Sequence, residues 1–431
     1  MAGSDDVRAQ TNPTLAEATR VWWKIGILSF GGPAAQIALM HKEVVDDRGW
    51  LSEQQFLNAL SFCMLLPGPE AMQLATYSGW RLHGTLGGLI AGLLFVLPGA
   101  AVIMVLATIY SIYGDVALVE ALFYGIKAAV LVIVLEALLR VAKKALSQRL
   151  HWLIAALAFV GIFFLSLPYP LIVLLAGLLG WLLGTAENTD QPAASIGHVS
   201  VGKTGLTIVT WLAIWILPLL VLAGLGAPTI LHEVGTFFST LAVVTFGGAY
   251  AVLAYMAQDV VVQFGWLTAG EMVDALGLAE TTPGPLILVT QFVGFLAGFK
   301  EGGLLLGLSA AGVALWVTFA PCFLWIFAGA PYIEWISNQP RLRGALKAIT
   351  AAVVGVILNL SIWFALHVLF SDVSRQKLGP ITLWTAELAT IEWLSLALFL
   401  LSCVLAFRLH WGITRILLVA SLLGTGLRLL I

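Results

Sequence analysis

The sequence predicts an all-α, polytopic transmembrane protein built from two homologous repeats. Sixty per cent of its 431 residues are hydrophobic, and only 10% are Asp, Glu, Lys or Arg, whereas a soluble globular domain carries about 25% charged residues. Several apolar runs reach the roughly 20 residues that a helix needs to cross a bilayer. Three short motifs also recur later in the chain at one fixed offset. These observations together predict a membrane protein with internal symmetry.

The recurring motifs define the repeats, because each returns 216 residues later. The pairs are SFGG at 29–32 with TFGG at 245–248, GWL at 49–51 with GWL at 265–267, and PGP at 67–69 with PGP at 283–285. Agreement of three motifs at one offset indicates a duplicated unit. We therefore divide the chain into a first repeat (1–184), a cytoplasmic linker (185–206) and a second repeat (207–431), which opens with an extra helix at 207–226.

Two apolar segments, about 53–82 and 268–299, are interrupted near their middle by Pro-Gly-Pro. Proline removes a backbone donor and clashes with the preceding helical turn. Lipid does not tolerate exposed, unpaired backbone groups. We therefore expect both breaks to lie inside the protein or to face a water-filled cavity.

The distribution of Lys and Arg predicts the orientation, because cytoplasmic loops carry an excess of these residues. If each broken segment crosses once, 14 basic residues lie inside and six outside, and the repeats are inverted with about 13 spans. If each broken segment is a re-entrant hairpin, the repeats become parallel, and 12 basic residues lie inside and eight outside. The sequence thus favours inversion, a layout in which transporters bind their substrate at broken helices near the midplane.

The two Pro-Gly-Pro breaks predict a binding site for a small anion. Each proline suits the first turn of a new half-helix, whose free N–H groups and partial positive charge attract anions. Thr281 and Thr282 add hydroxyl groups beside the second break, and the Phe-Gly-Gly motifs add glycines for close packing or local unwinding. The alternative interpretation of the breaks is a packing kink alone.

Three charged residues extend this hypothesis. Lys127 lies within a spanning helix, where a charge is costly and marks a functional site by default; it can supply the positive charge for an anion, pair with a carboxylate such as Glu70, or reach towards the interface. Glu70 is either a structural helix cap or a proton carrier. Glu280, just before the second break, is the other candidate for proton coupling.

The sequence around these motifs resembles the chromate ion transporter family. LSFGGPAAQIALMHKEVV and GWLSEQQFLNALSFCMLLPGPEAMQLATYSGWRLHG carry the resemblance in the first repeat; TFGGAYAVLAYMAQ, GWLT and TTPGP carry it in the second. It covers nearly the whole chain and fits the long, two-domain members. Gln36 stands where the family commonly has histidine in its GGPxxH pattern, which puts a proton role at that position in doubt.

The resemblance implies a secondary active exporter of chromate that confers chromate resistance, driven by a proton gradient or the membrane potential, as an antiporter would be. The alternative is an uptake carrier or channel for sulfate or another oxyanion. The expected substrate site comprises Phe30, Gly31, Gly32, Pro67, Gly68, Pro69, Glu70, Gln73, Lys127, Gly247, Gly248, Thr281, Thr282, Pro283, Gly284 and Pro285.

Other functional classes find little support in the sequence. A net charge of −2 gives no basic footprint for nucleic acid,. The histidines and the three cysteines lack metal-ligand spacing, and no nucleotide-binding motif occurs. We therefore expect no enzymatic activity, metal or cofactor. A polar start without a signal peptide suits a bacterial inner membrane protein, and a homodimer remains an open alternative.

Overall fold

The computed structural model describes residues 13–114, 116–183, 201–246, 249–333 and 339–430. These residues are mostly helical. The elements in chain order are α1 (Leu15–Leu28), α2 (Gly32–His41), α3 (Glu53–Cys63), α4 (Glu70–Tyr113), α5 (Ala117–Ala145), α6 (Arg149–Phe163), α7 (Tyr169–Leu183), α8 (Val201–Gly224), α9 (Thr229–Val244), α10 (Ala249–Gln258), α11 (Ala269–Thr281), α12 (Val289–Gly329), α13 (Pro340–Leu369), β1 (Val373–Leu378), β2 (Ile381–Ala386), α14 (Trp393–Cys403) and α15 (Ile413–Leu430).

The helices are those of a multi-pass membrane protein. Within the described residues, six helices are long and apolar enough to cross a membrane, namely α4, α5, α8, α12, α13 and α15. Four shorter apolar helices accompany them: α6, α7, α9, and α14 with the π-helical turn that follows it. Many leucines on these helices remain exposed, as expected for surfaces that face lipid rather than water.

The structure departs from the all-α expectation in one segment. β1 and β2 form an antiparallel hairpin, in which Val373 faces Ala386 and Leu378 faces Ile381. The hairpin covers the turn between α6 and α7, where the Thr382 N–H donates to the Phe164 carbonyl over 2.6 Å. This segment is too polar to span a membrane and too short for a conspicuous strand pattern, so its pairing was not predicted.

The predicted linker also differs in one of its boundaries. Helix α8 begins at Val201, so residues 201–206 of the predicted 185–206 linker are helical. Residues 185–200 lie outside the described residues.

Both α4 and α12 bend back on themselves. Non-helical backbone angles at His83 and Gly84 divide α4 into a first arm (70–82) and a second arm (85–113). The same happens to α12 at 302–303, giving a first arm (289–301) and a second arm (304–329). The arms of α4 pack tightly, because a Cβ on Gly79 would lie 2.3 Å from the Gly87 carbonyl oxygen. Small residues allow this approach of two backbones.

The first broken segment does not run straight through the protein as the single-crossing interpretation requires. Helix α3 and the first arm of α4 lie side by side, since the rings of Phe62 and Tyr77 are only 6.5 Å apart. Fifteen residues of continuous helix would separate them by about 22 Å. The Pro-Gly-Pro loop therefore forms the tip of a helical hairpin. The α1–α2 segment also folds back, because Lys24 Nζ lies 2.6 Å from Glu43 Oε1.

The tips of these hairpins interlock between the repeats. The Gly68 N–H donates to the Thr245 carbonyl oxygen over 2.9 Å, and the Gly284 N–H donates to the Ser29 carbonyl oxygen over 2.8 Å. Both donors and both acceptors are related by the 216-residue offset. Each Pro-Gly-Pro loop thus docks on the helix break that precedes the Phe-Gly-Gly motif of the other repeat. This exchange satisfies backbone groups that would otherwise be costly inside a bilayer.

Gln36 reinforces one of these two contacts. Its side chain is buried, and Nε2 donates to the Gly284 carbonyl oxygen over 2.7 Å and to the Ser29 carbonyl oxygen over 3.2 Å. The corresponding residue of the second repeat is Val252. The amide therefore fastens the second Pro-Gly-Pro loop to the first repeat and has no equivalent at the other contact.

Replacing Gln36 with glutamate is expected to destabilise the protein strongly. Gln36→Glu removes the donor and points a carboxylate at two carbonyl oxygens, and an uncompensated buried charge costs roughly 3–5 kcal/mol. Thermal unfolding of the purified protein in detergent measures the effect as a lower Tm. Gln36→His should retain most of the stability, because an imidazole N–H can still donate to Gly284.

The matched control is Gln54→Glu, at an exposed position of α3 where the amide bonds only to Asn58. Equal melting temperatures for the Gln36→Glu and Gln54→Glu variants would contradict the structural role of Gln36.

Candidate functional site

The two helix breaks differ in exposure. In the first repeat, Phe30 is 44% exposed and Gly31 is also exposed, while Pro67 and Glu70 are partly exposed. In the second repeat, the whole 282–290 stretch is buried. Among the described residues, those of the first break are therefore more exposed than the Pro-Gly-Pro loop of the second.

Two helices begin at the interruptions of the first repeat. Helix α2 starts at Gly32, and the φ angles of Gly31 and Gly32, 86° and 76°, belong to the left-handed region that favours glycine,. Helix α4 starts after Pro69, and no side chain caps its first turn. The amino end of α4 lies in the loop that docks on Thr245, and the amino end of α2 lies next to Ser29, on which the second Pro-Gly-Pro loop docks. Each offers backbone N–H groups and a partial positive charge. This is the feature that the sequence predicted for an anion site.

Other predicted donors are engaged within the protein. The Gly68 and Gly284 N–H groups take part in the interlock described above. The Thr281 and Thr282 hydroxyls donate to the carbonyl oxygens of Leu278 and Ala279, over 2.9 Å and 3.1 Å. Gln73 Nε2 donates to the Pro67 carbonyl oxygen over 2.7 Å. These side chains hold the breaks in shape in this conformation.

Basic residues of α5 lie beside the breaks. Lys144 Nζ is 3.8 Å from Met64 Sδ, at the start of the first Pro-Gly-Pro loop, and it interacts electrostatically with Glu70. Arg140 interacts electrostatically with Glu280 at the second break and binds Glu136 over 2.6 Å. From the sequence, both cations served only as signals of orientation. The structure adds them to the candidate site.

The two candidate proton carriers occupy different environments. Glu280 is 5% exposed and accepts a 2.7 Å hydrogen bond from the Tyr250 hydroxyl. Tyr250 lies in the first turn of α10, so this bond joins the end of α11 to the start of α10. Glu70 is partly exposed at the first residue of α4. Glu280 is therefore held in place, whereas Glu70 is open to the first break.

Lys127 lies apart from this group. Its Nζ is 3.3 Å from Asp274 Oδ2, and the Tyr110 hydroxyl donates to the same oxygen over 2.9 Å. Thirteen residues of α5, about 20 Å of helix, separate Lys127 from Arg140. Of the carboxylate partners that the sequence allowed, the structure selects Asp274 rather than Glu70.

The sequence analysis missed several of these residues. Asp274 is an ionisable residue in a predicted membrane segment, and that alone marks a functional candidate. Tyr110 and Tyr250 gave no signal, because a tyrosine in an apolar helix is ordinary. Two residues of the expected site, Gly247 and Gly248, lie outside the described residues. Over the described ranges, His, Cys, Asp and Glu side chains form no group of three that suits a metal.

Comparison with known proteins supplies the family. The profile of the chromate transporter family matches residues 16–181 and 232–427, which cover both repeats. The chain is 32% identical over 345 residues to the chromate transport protein of Pseudomonas aeruginosa, covering 78% of this chain and 77% of that protein. No solved structure matches the chain.

Two further relatives agree. A probable chromate transport protein of Synechococcus elongatus is 29% identical over 344 residues, covering 80% of this chain and 83% of that protein. The chromate transport protein of Cupriavidus metallidurans is 28% identical over 348 residues, covering 80% and 81%. With both repeats matched and the resemblance seen in the sequence motifs confirmed, the chain belongs to the chromate transporter family.

Proposed function

We propose that this protein exports chromate from the cytoplasm of a bacterium across the inner membrane and so confers chromate resistance. The carrier is secondary active, driven by the proton gradient or the membrane potential. The anion binds at the centre, at the amino ends of the half-helices that follow the breaks. The observation that carries the proposal is the amino end of α4 after the first Pro-Gly-Pro loop: no side chain caps it, Glu70 there is partly exposed, and Lys144 of α5 lies at the start of the same loop, 3.8 Å from Met64 Sδ.

The chemistry of chromate fits this site. A tetrahedral dianion needs several N–H donors and a compensating positive charge, and charge-assisted hydrogen bonds are the strongest available. The amino ends of α2 and α4 supply the donors, while Arg140 and Lys144 supply the charge. We place these two cations in the site; Lys127 lies about 20 Å away along α5, and Asp274 balances its charge in this conformation.

The unequal exposure of the two breaks supports alternating access. The repeats share their motifs and exchange equivalent hydrogen bonds, yet only the first break is open. A pseudo-symmetric protein can open the second break by adopting in each repeat the conformation that the other now has. The anion would then leave on the opposite side. Glu70 and Glu280, one beside each break, are the groups that we assign to proton coupling.

Chromate movement into everted membrane vesicles tests the proposal. Vesicles that contain the protein should accumulate labelled chromate only when energised, and excess sulfate, which has the same shape and charge, should compete. Changing both cations to glutamine (Arg140→Gln with Lys144→Gln) should lower the rate at least tenfold, because the anion loses its counter-charge.

Lys377→Gln, in the exposed strand β1, removes a cation far from the breaks and serves as the control. Sulfate entry into right-side-out vesicles without energised chromate accumulation would instead identify an uptake carrier or channel. Unchanged transport in the double variant would remove Arg140 and Lys144 from the site.

We further propose that the repeats are inverted and that the broken segments are re-entrant hairpins, so the chain crosses the membrane fewer than 13 times. The corner of α4 lies on the side where α1 begins, since His83 Nε2 and the Pro13 carbonyl oxygen are 2.8 Å apart. From there the second arm of α4 and helices α5 to α8 cross five times. Helix α9 then starts on the opposite side, which inverts the second repeat.

Two observations support this path. The α6–α7 turn and the β-hairpin fall on the same side, as their contact requires: Ser166 Oγ is 3.1 Å from Thr382 Oγ1. The path also places 16 of the 21 Lys and Arg residues on the side of Pro13. That side is then the cytoplasm, and the bias is stronger than the 14 against six of the single-crossing alternative.

Cysteine labelling distinguishes the two topologies. Asp47→Cys, in the loop before α3, should react with a membrane-impermeant thiol reagent only from the cytoplasmic side. Gln263→Cys, in the matching loop before α11, should react only from outside. Ser374→Cys, in the hairpin, is the external reference in both topologies. The single-crossing model requires the reverse result at residues 47 and 263, so that pattern would refute the hairpins.

A further inference from the structure

A buried charged cluster, made of Asp274, Lys127 and Tyr110, lies away from the breaks, where α4, α5 and α11 meet. Asp274 of α11 has a side chain that is only 5% exposed, and its Oδ2 accepts from Tyr110 and faces Lys127 at 3.3 Å. Its Oδ1 has no hydrogen-bond partner among the described residues. The Lys127 side chain remains 29% exposed. The cluster therefore combines an incompletely satisfied carboxylate with a partly exposed cation.

A tight helix contact separates this cluster from the central carboxylate Glu280. Between Asp274 and Glu280, Gly277 packs so closely on α5 that a Cβ there would lie 2.3 Å from Ile126 Cγ2 and 3.2 Å from Val130 Cγ2. The two carboxylates are six residues apart on α11, about 9 Å along the helix axis. The Tyr110 hydroxyl donates a hydrogen bond to Asp274, and the Tyr250 hydroxyl donates one to Glu280. Helix α11 thus carries one buried carboxylate on each side of an apolar seal.

The charge state of Asp274 determines what Lys127 can bind. While the carboxylate is ionised, it neutralises the ammonium group, and the pair has little attraction for an anion. A proton on the unpartnered Oδ1 removes that negative charge and leaves the partly exposed ammonium without a counter-charge. Besides Lys127 and Tyr110, Glu271 acts on Asp274, and Glu271 itself binds Lys300 over 2.6 Å.

The surroundings of Lys127 also suit an anion. A Cβ on Gly270 would lie 3.3 Å from Lys127 Nζ, so the ammonium sits beside the first turn of α11. Glycine leaves the backbone there uncovered, and the amino end of a helix favours negative charge.

We propose that Asp274 is a proton-binding switch that converts Lys127 from an ion-pair partner into a binding group for an oxyanion dianion. The inference rests on the proposed anion transport and adds the site where a proton is linked to it. One proton from solution binds Oδ1 of Asp274, and the Lys127 ammonium then turns from Oδ2 to the anion. Loss of that proton restores the ion pair and expels the anion. Because the proton and the anion bind and leave together, export through this switch moves one net negative charge outward and is driven by the membrane potential.

Chromate binding to the purified full-length protein, measured against pH by equilibrium dialysis, tests the switch. In the wild type, affinity should rise as pH falls through the titration of Asp274, by up to about tenfold per pH unit for one linked proton. Asp274→Asn mimics the protonated state, so its affinity should stay high and lose that pH dependence. In proteoliposomes, this variant should exchange chromate for chromate but lose accumulation driven by a pH gradient.

Two further variants separate the switch from a structural ion pair. Glu301→Gln removes an exposed carboxylate at the corner of α12 and should behave like the wild type. Lys127→Met combined with Asp274→Asn removes both charges, which a purely structural pair tolerates. We expect the double variant to fold but to bind chromate at least tenfold more weakly than Asp274→Asn. If Asp274→Asn alone does not fold, the chromate affinity of the double variant is compared with that of the wild type at low pH, and this comparison shows whether Lys127 holds the anion.

Each result has a distinct meaning. A wild type that neither binds nor moves chromate or sulfate would refute the proposed function itself. A wild type that transports, with an Asp274→Asn variant that keeps the full pH dependence, would overturn the switch alone. At a pH low enough to protonate Asp274, a double variant that binds chromate as tightly as the wild type would also overturn it, because Lys127 would then not hold the anion.

Discussion

The need to satisfy every backbone polar group within a bilayer is the constraint on which the structure depends. Two Pro-Gly-Pro loops and two glycine-rich breaks interrupt helices that lipid would otherwise require to be continuous. The protein meets this requirement by exchange: Gly68 donates to Thr245, and Gly284 donates to Ser29. Neither repeat can satisfy its own break by these bonds, so the two halves depend on each other for their most costly backbone groups.

The same exchange brings functional groups together. Docking of the second loop on Ser29 carries Glu280 to the centre, where Tyr250 binds it, and helix α11 then runs along α5. That contact places Asp274 against Lys127 and Glu280 within the influence of Arg140. A chain of buried contacts therefore connects the breaks to the charges that we propose for anion binding and proton linkage.

Asymmetry within the duplicated framework gives the two halves different tasks. Gln36 fastens one interlock, whereas Val252 stands at the other; Glu70 follows the first break, whereas Leu286 follows the second. Asp274 and Glu280 correspond to Asn58 and Met64 of the first repeat. The first repeat offers the exposed break, and the second repeat contributes the two buried carboxylates of α11.

The sequence by itself determined the class of protein, the duplication, the positions of the breaks and the family, because hydropathy and motif spacing are properties of the chain alone. It also marked Lys127, Glu70 and Glu280, since a charge in an apolar run is conspicuous. Only the tertiary structure decided that Lys127 pairs with Asp274, that Arg140 and Lys144 lie beside the breaks, and that the first broken segment folds back as a hairpin. These outcomes depend on which helices become neighbours, at separations from 15 residues for Phe62 and Tyr77 to 147 for Lys127 and Asp274, and periodicity carries no information about that choice.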